Sequence, residues 1–299
     1  MIKRIFLFLL TNIAVIAVLT VVIALAEKFL WISISGYSQN YTSVFIYALI
    51  VWFTWAFISL WISKWMAKKA YWVVVVTSEN ISSLSKKEKL VYDVVMDLSN
   101  KHWIKMPEVW FYDDKDPNAF ATWASKNSSL VAASSWLLDQ MNENEIEWVI
   151  GHEMAHILNW DMVTMTLLQW VLNTFVVFFA RILANIFNNV TDGKFWIWGY
   201  YLVNILLQIL FGILASVIAM WFSRYREYRA DEGSAKFLWK EKMISALEAL
   251  KKMQSLAAWD DSKLAAMKIS TKKRWGIMSL FSSHPDLDDR IKNLQDKML

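Results

Sequence analysis

The chain has 299 residues, no cysteine, a net charge of +4 and 57% hydrophobic residues. That is too apolar for an ordinary soluble domain, and the missing thiols exclude a disulfide framework, a thiolate metal site and a cysteine nucleophile. The basic residues sit beside apolar segments rather than on one face, so they mark membrane topology, not nucleic-acid binding.

After Lys3 and Arg4, residues 5–26 form a nearly uncharged run long enough to cross a bilayer core. The run exceeds a signal-peptide h-region, which predicts an uncleaved anchor even though Ala24-Leu25-Ala26 resembles a cleavage site. A second span is expected over about 41–62. Lys64, Lys68 and Lys69 follow it and put the N-terminus and residue 64 onward on the cytoplasmic side. From Tyr71 charged residues return. Val73 to Thr77 reads as a strand, and Ser85-Lys86-Lys87-Glu88 is a capping box opening a helix over about 86–101, with Leu90, Val91, Val94, Val95 and Leu98 at helical spacing. Val109 to Tyr112 is an expected strand, and Ala119 to Ala124 with Leu130 to Ser134 an expected hairpin. His102 carries no motif and is expected to be structural.

Asn142 and Glu145 form a second capping-box pattern, opening a helix that runs to about Asn159 and carries Gly151-His152-Glu153-Met154-Ala155-His156. In this H-E-x-x-H pattern the histidines, four apart, share one helix face and can meet one zinc ion. The glutamate between them is placed to take a proton from water. The polar residues before the motif put the site at the cytoplasmic side or the interface, against proteolysis within the bilayer. Two more spans are expected over about 164–186 and 197–222, separated by a polar turn at 188–194. Arg181 inside the first of these must face protein or snorkel. Arg224, Arg226 and Arg229 repeat the positive-inside signal. The chain thus divides into a membrane hairpin (1–66), a first soluble half carrying the H-E-x-x-H helix (67–163), a second hairpin (164–222) and a second soluble half (223–299). Residues 255–280 read as a basic loop of no assigned role.

Catalytic zinc sites use three protein ligands. No further histidine follows His156 closely, so a carboxylate from elsewhere is needed. Glu227 in Ser223-Arg224-Tyr225-Arg226-Glu227-Tyr228-Arg229-Ala230-Asp231 is the best candidate, and Asp231, at i+4, can accept the outer N–H of a ligand histidine. The alternative leaves Glu227 and Asp231 balancing three arginines on a solvated face. The Asn118 to Ser134 hairpin can offer an edge strand to an extended substrate, with Asn118, Ala119 and Phe120 in contact. His284 either stabilises an oxyanion or simply begins the C-terminal helix with Leu287, Ile291 and Leu294 packed inward.

Ser63-Lys64-Trp65-Met66-Ala67, Asn118-Ala119-Phe120-Ala121-Thr122, Gly151 to His156, the S-R-x-R-E-x-x-A-D segment at 223–231 and Ser283-His284-Pro285 carry a resemblance over nearly the whole chain. It resembles the HtpX family of membrane-integrated zinc metalloproteases, relatives of the CAAX prenyl-proteases. The resemblance implies an α+β membrane protein: four transmembrane helices with a mainly helical zincin-type (gluzincin) protease domain carrying a small β-sheet. It implies one Zn2+ on His152, His156 and Glu227, with Glu153 as general base. The expected location is the bacterial inner membrane, with the N-terminus and catalytic domain cytoplasmic. Expected partners are the lipid bilayer, unfolded or misassembled membrane proteins cleaved in quality control, and other membrane quality-control proteases. A narrow-specificity processing protease and an inactive membrane scaffold are the competing readings.

One anomaly cuts across this pattern. The chain has 19 Trp and 7 Gly, where average usage predicts roughly 21 glycines. Trp123, Trp136, Trp148 and Trp160 stand where the resembled family has glycine, whereas Trp65 and Trp221 fall where it often has tryptophan. This predicts a gene in which UGA encodes glycine, read with the standard code; interfacial aromatic belts are the alternative.

Overall fold

The computed structural model describes residue 28 and residues 41–70, 73–77, 80–113, 118–123, 126–192, 197–257 and 280–297. The chain separates into two compact units. One gathers residues up to Leu60 with Met165–Ala219, and the other Trp61–Thr164 with Met220–Leu299.

The first unit is built from parts of three long helices: α1 (Tyr41–Ala70), α5 (Asp161–Val190) and α6 (Ile197–Leu238). Among the described residues these are the three helices long and apolar enough to cross a membrane. The first expected span, about 5–26, and the loop after it lie outside the described residues, apart from Lys28. Large apolar side chains such as Phe53, Phe179, Ile205, Ile209 and Leu214 are exposed along these helices, an outward face that lipid covers and water would not tolerate. The chain is therefore membrane-integrated. Inside this unit Ala48, Ala180 and Ala184 are fully buried, the small residues that let helices approach closely in lipid. Phe45 meets Phe178 edge-on at 5.2 Å, Trp170 Nε1 donates to the Leu49 carbonyl at 3.0 Å, and the Arg181 guanidinium lies 5.0 Å from the Tyr47 ring centre. Arg181 thus faces protein.

All three helices outrun the expected spans, the first continuing to Ala70 rather than ending near residue 62. The α5 helix begins at Asp161 and continues to Val190, taking in the start of the expected polar turn. The 42-residue α6 is about 63 Å long, roughly twice the hydrocarbon thickness, and its C-terminal part carries residues 223–231 without a break.

In the second unit, a four-stranded sheet runs in the order β1-β2-β4-β3, with β1 Val73–Val75, β2 Glu108–Tyr112, β3 Ala119–Trp123 and β4 Ser129–Ser134. The β3–β4 hairpin is antiparallel, β2 and β4 are parallel, and among the described residues β3 is left as an edge. Helix α2 (Lys86–Lys101) and helix α4 (Glu143–Leu158) both begin with complete capping boxes, on Ser85/Glu88 and Asn142/Glu145. Between sheet and α4 lies α3 (Ser135–Gln140), a short helix not expected from the sequence; it exists because the Ser134 hydroxyl caps it by accepting from Leu137 N–H. Trp136 therefore lies inside a helix. Helix α7 (Lys240–Ala257) and helix α8 (Leu287–Asp296) complete the unit. Val91, Val95 and Leu98 of α2, Val131 and Ala133 of β4, Ile146, Ile150 and Met154 of α4, Leu247 of α7 and Leu294 of α8 form one buried core. This core holds α4 from three sides.

Candidate metal centre

Helix α4 needs a close neighbour for its motif to be completed, and two glycines provide it. A Cβ at Gly151 would stand 2.5 Å from Leu238 Cδ1 and 2.8 Å from Ser234 Oγ, and one at Gly233 would stand 2.8 Å from the Cβ of Ala155. Through these contacts α6 lies directly against α4. Glu227 and Asp231, one turn apart on α6, consequently face His152 and His156.

Ligand atoms from three residues converge. His152 Nε2 is 3.1 Å from His156 Nε2 and 3.4 Å from Glu227 Oε2, and His156 Nε2 is 3.5 Å from Glu227 Oε1. A tetrahedral ion holding nitrogen and oxygen at about 2.0–2.2 Å spaces its ligand atoms about 3.3–3.6 Å apart; the two histidine–glutamate spacings, one to each carboxylate oxygen, fall in that range and the histidine pair is slightly closer, so the three residues gather on the scale of one ion.

The outer ring nitrogens decide the chemistry of that triangle. His156 Nδ1 is 2.6 Å from Asp161 Oδ2. His152 Nδ1 is 2.9 Å from Asp231 Oδ1, close but off the line of a good hydrogen bond. Each carboxylate favours a proton on Nδ1 and leaves Nε2 with its lone pair. Two lone pairs and a carboxylate then face one another in a buried space, an arrangement that favours positive charge between them. The electrostatics agree. Burial opposes charge on His156, yet Asp161 and Glu227 outweigh it and lift the imidazole to about 10. Burial likewise opposes charge on His152, but Asp231 and Glu227 raise it. Burial would raise Glu227, but His152, His156 and His284 hold its carboxyl well below the usual range. The donor set fits a divalent metal.

Glu227 and Asp231 are 4% and 0% exposed, so they do not lie on a solvated face with the arginines. Asp231 receives Nε and Nη2 of Arg290 from α8, and this guanidinium, more than any other group, offsets burial and keeps the carboxylate charged. The arginines of the 223–231 segment tether the surroundings instead. Arg226 donates to the Asp161 carbonyl at 3.1 Å, Arg229 to Asn159 Oδ1 at 3.4 Å, and Arg224 to the carbonyls of Leu280 and Ser282. The last pair holds the segment bearing His284, whose Nδ1 is 3.0 Å from Glu227 Oε2. His102 stands apart, edge-on to Phe237 at 4.6 Å.

Glu153 points from α4 to the sheet. Its Oε2 accepts the Ala121 N–H at 2.9 Å, and burial pushes its carboxyl up, with His156 and His152 opposing. In the hairpin, Ser134 N–H donates to the Asn118 carbonyl, and the register pairs Phe120 with Ala132 and Thr122 with Leu130. By alternation the N–H and C=O groups of Ala119 and Ala121 point to the open edge. A cavity of about 230 Å³ lies between that edge and the motif, lined by Asn118, Ala119, Phe120 and Ala121 on one side and by His152, Glu153, His156, Glu227 and His284 on the other. All the residues singled out from the sequence thus border this space, Asp231 excepted, which stands behind His152.

Asp161 and Arg290 were not singled out from the sequence. Asp161 follows a left-handed turn at residue 160 (φ 61), so an acid just past a helix end was its signal. Arg290 interrupts the apolar register of Leu287, Ile291 and Leu294, which marks a charge directed inward.

Residues 85–298 match the model of peptidase family M48. The chain is 44% identical over 303 residues to a Protease HtpX homolog of Methylacidiphilum infernorum, covering 99% of each chain. It is 44% identical over 300 residues to Protease HtpX of Thioalkalivibrio sulfidiphilus, covering 98% of each. A crystal structure of S. mikatae Ste24p has a similar fold, with a TM-score of 0.64 at 17% identity over 99% of this chain and 67% of that one.

Proposed function

The chain belongs to peptidase family M48, among its HtpX-type membrane proteases, and from that membership we propose that it is a zinc endopeptidase that cleaves unfolded or misassembled membrane proteins. The observation that carries this reading is the triangle of His152, His156 and Glu227 atoms set beside Glu153 and an open strand edge. His152, His156 and Glu227 would hold the ion. When bound, zinc supplies Lewis acidity, which makes water a nucleophile near neutral pH and polarises the scissile carbonyl.

The chain's own residues do the rest. An extended substrate adds to β3 and pairs with the outward N–H and C=O groups of Ala119 and Ala121. In doing so it takes over the Ala121 N–H and releases Glu153 Oε2 from it. Glu153, which its buried setting makes a stronger base than an exposed glutamate, then takes the proton of the attacking water and delivers it to the leaving amine. His284, with Nδ1 turned to Glu227, has Nε2 left to donate to the developing oxyanion. Asp161 and Asp231 fix the ring orientation of the two histidines. Recognition of backbone rather than side chains suits many loosely folded clients.

In this reading four spans form two hairpins, 1–66 and 164–222, in a bacterial inner membrane. The protease halves 67–163 and 223–299 both lie on the cytoplasmic side, a placement that the basic residues after each hairpin support. Other membrane quality-control proteases are the expected associates. The test is purification in detergent, quantification of zinc, and digestion of an unfolded membrane protein by the wild type and by Glu153→Gln. Expected are about one zinc per chain in both and cleavage at many sites by the wild type alone. Unchanged cleavage by Glu153→Gln would refute the mechanism; a single cleavage in a single client would favour a processing protease.

A further inference from the structure

Among the described residues, four that are not glycine have left-handed backbone: Trp103 (φ 53), Trp160 (φ 61), Asp192 (φ 50) and Trp239 (φ 79). Aspartate visits this region with local hydrogen bonding. A bulky aromatic residue there crowds its Cβ against the following carbonyl. Tryptophan provides 19 of 299 residues yet three of these four positions.

Each of the three also sits where helix endings call for glycine. Helix α2 ends in a complete Schellman motif. Trp103 N–H donates to the Asn100 carbonyl and Ile104 N–H to the Ser99 carbonyl, which puts Trp103 at the position after the cap, the usual glycine site. Trp160 holds the same place after α4, its N–H donating to the Ile157 carbonyl. Trp239 is the single residue between α6 and α7. Packing offers little in return, since Trp103 is 93% and Trp239 77% exposed. Trp221 shows the contrast: it lies within α6 and stacks on Tyr225, ring centres 6.1 Å apart and planes 12° from parallel.

We infer that the natural polypeptide carries glycine at positions 103, 160 and 239, its messenger using UGA there as a glycine codon, and carries tryptophan at 221. Two of these positions come from backbone geometry alone; the third, 160, joins it to the compositional anomaly. Glycine at 160 lies in the turn that brings Asp161 back to His156, so the metal centre inherits the relaxed backbone.

The gene's codons and the peptide masses of protein isolated from its source test this. Expected are UGA at 103, 160 and 239, UGG at 221, and glycine in the three corresponding peptides. UGG at those three positions, or tryptophan in those peptides, overturns the inference. A second measurement checks the physical premise in a standard-code host. The chain with Trp103→Gly, Trp160→Gly and Trp239→Gly should melt higher than the chain with tryptophan, by about 2–4 °C per position. Trp221→Gly, in a helix interior, should melt lower. A flat or falling melting temperature in the triple variant would overturn the strain argument.

Discussion

Oδ2 of Asp161 lies 2.6 Å from Nδ1 of His156, five residues away across the end of a helix. Outer partners of this kind fix the tautomer and orientation of a ligand histidine, and losing one typically weakens metal binding about 10–100-fold. Asp161→Asn should keep the fold and lower zinc affinity by that factor in a chelator competition. Equal affinities would show that Asp161 serves only the turn.

Ala121 gives a way to separate substrate binding from metal binding. Its N–H points to the open edge and meets Glu153, not β4. Proline at an edge removes such a donor without breaking the ladder on the other side. Ala121→Pro should therefore raise KM for an unfolded substrate about tenfold, the effect of roughly one hydrogen bond, with zinc content unchanged. An unaltered KM would argue that substrates do not extend the sheet at this residue.

Arg290 and Asp231 are both buried and joined through two nitrogens. Removing one member of a buried pair leaves the other charge uncompensated, at a cost of about 3–5 kcal/mol. Arg290→Met should lower stability by that order in a denaturant melt. Adding Asp231→Leu should restore much of the stability but not zinc affinity, because His152 would still lack its carboxylate. Full recovery of affinity in the double variant would remove Asp231 from the site's account.

The sequence made the local half of this site legible. His152, Glu153 and His156 are spaced by one helix, and Glu227 and Asp231 by one turn of another, so their shared faces follow from periodicity alone. Asn118 to Phe120 followed from the hairpin pattern. Asp161 and Arg290 were not legible because their partners are set by tertiary geometry: one depends on a left-handed turn occupied by tryptophan, the other on how α8 docks. The parallel pairing of β2 with β4 also escaped, since strand patterns give a hairpin but not the neighbour across it. The extents of α1, α5 and α6 were underestimated for a different reason: hydropathy marks where lipid begins and ends, whereas a helix continues wherever its backbone bonds do.

The closeness of α4 and α6 yields a last prediction, in which two similar substitutions differ. At Gly151 an added Cβ meets the Leu238 Cδ1 and the Ser234 Oγ, both side-chain ends that can rotate away. At Gly233 it meets the Cβ of Ala155, which is fixed to the helix backbone and cannot move alone. Gly233→Ala should therefore push α6 off α4, displacing Glu227 from His152 and His156. Zinc affinity should fall at least tenfold, as expected where misplacement by even an ångström matters. Gly151→Ala, which also raises helix propensity, should leave affinity within about threefold of wild type. Zinc titration of both variants checks the order, and a reversal would mean that the close approach of the two helices does not depend on the missing Cβ at Gly233.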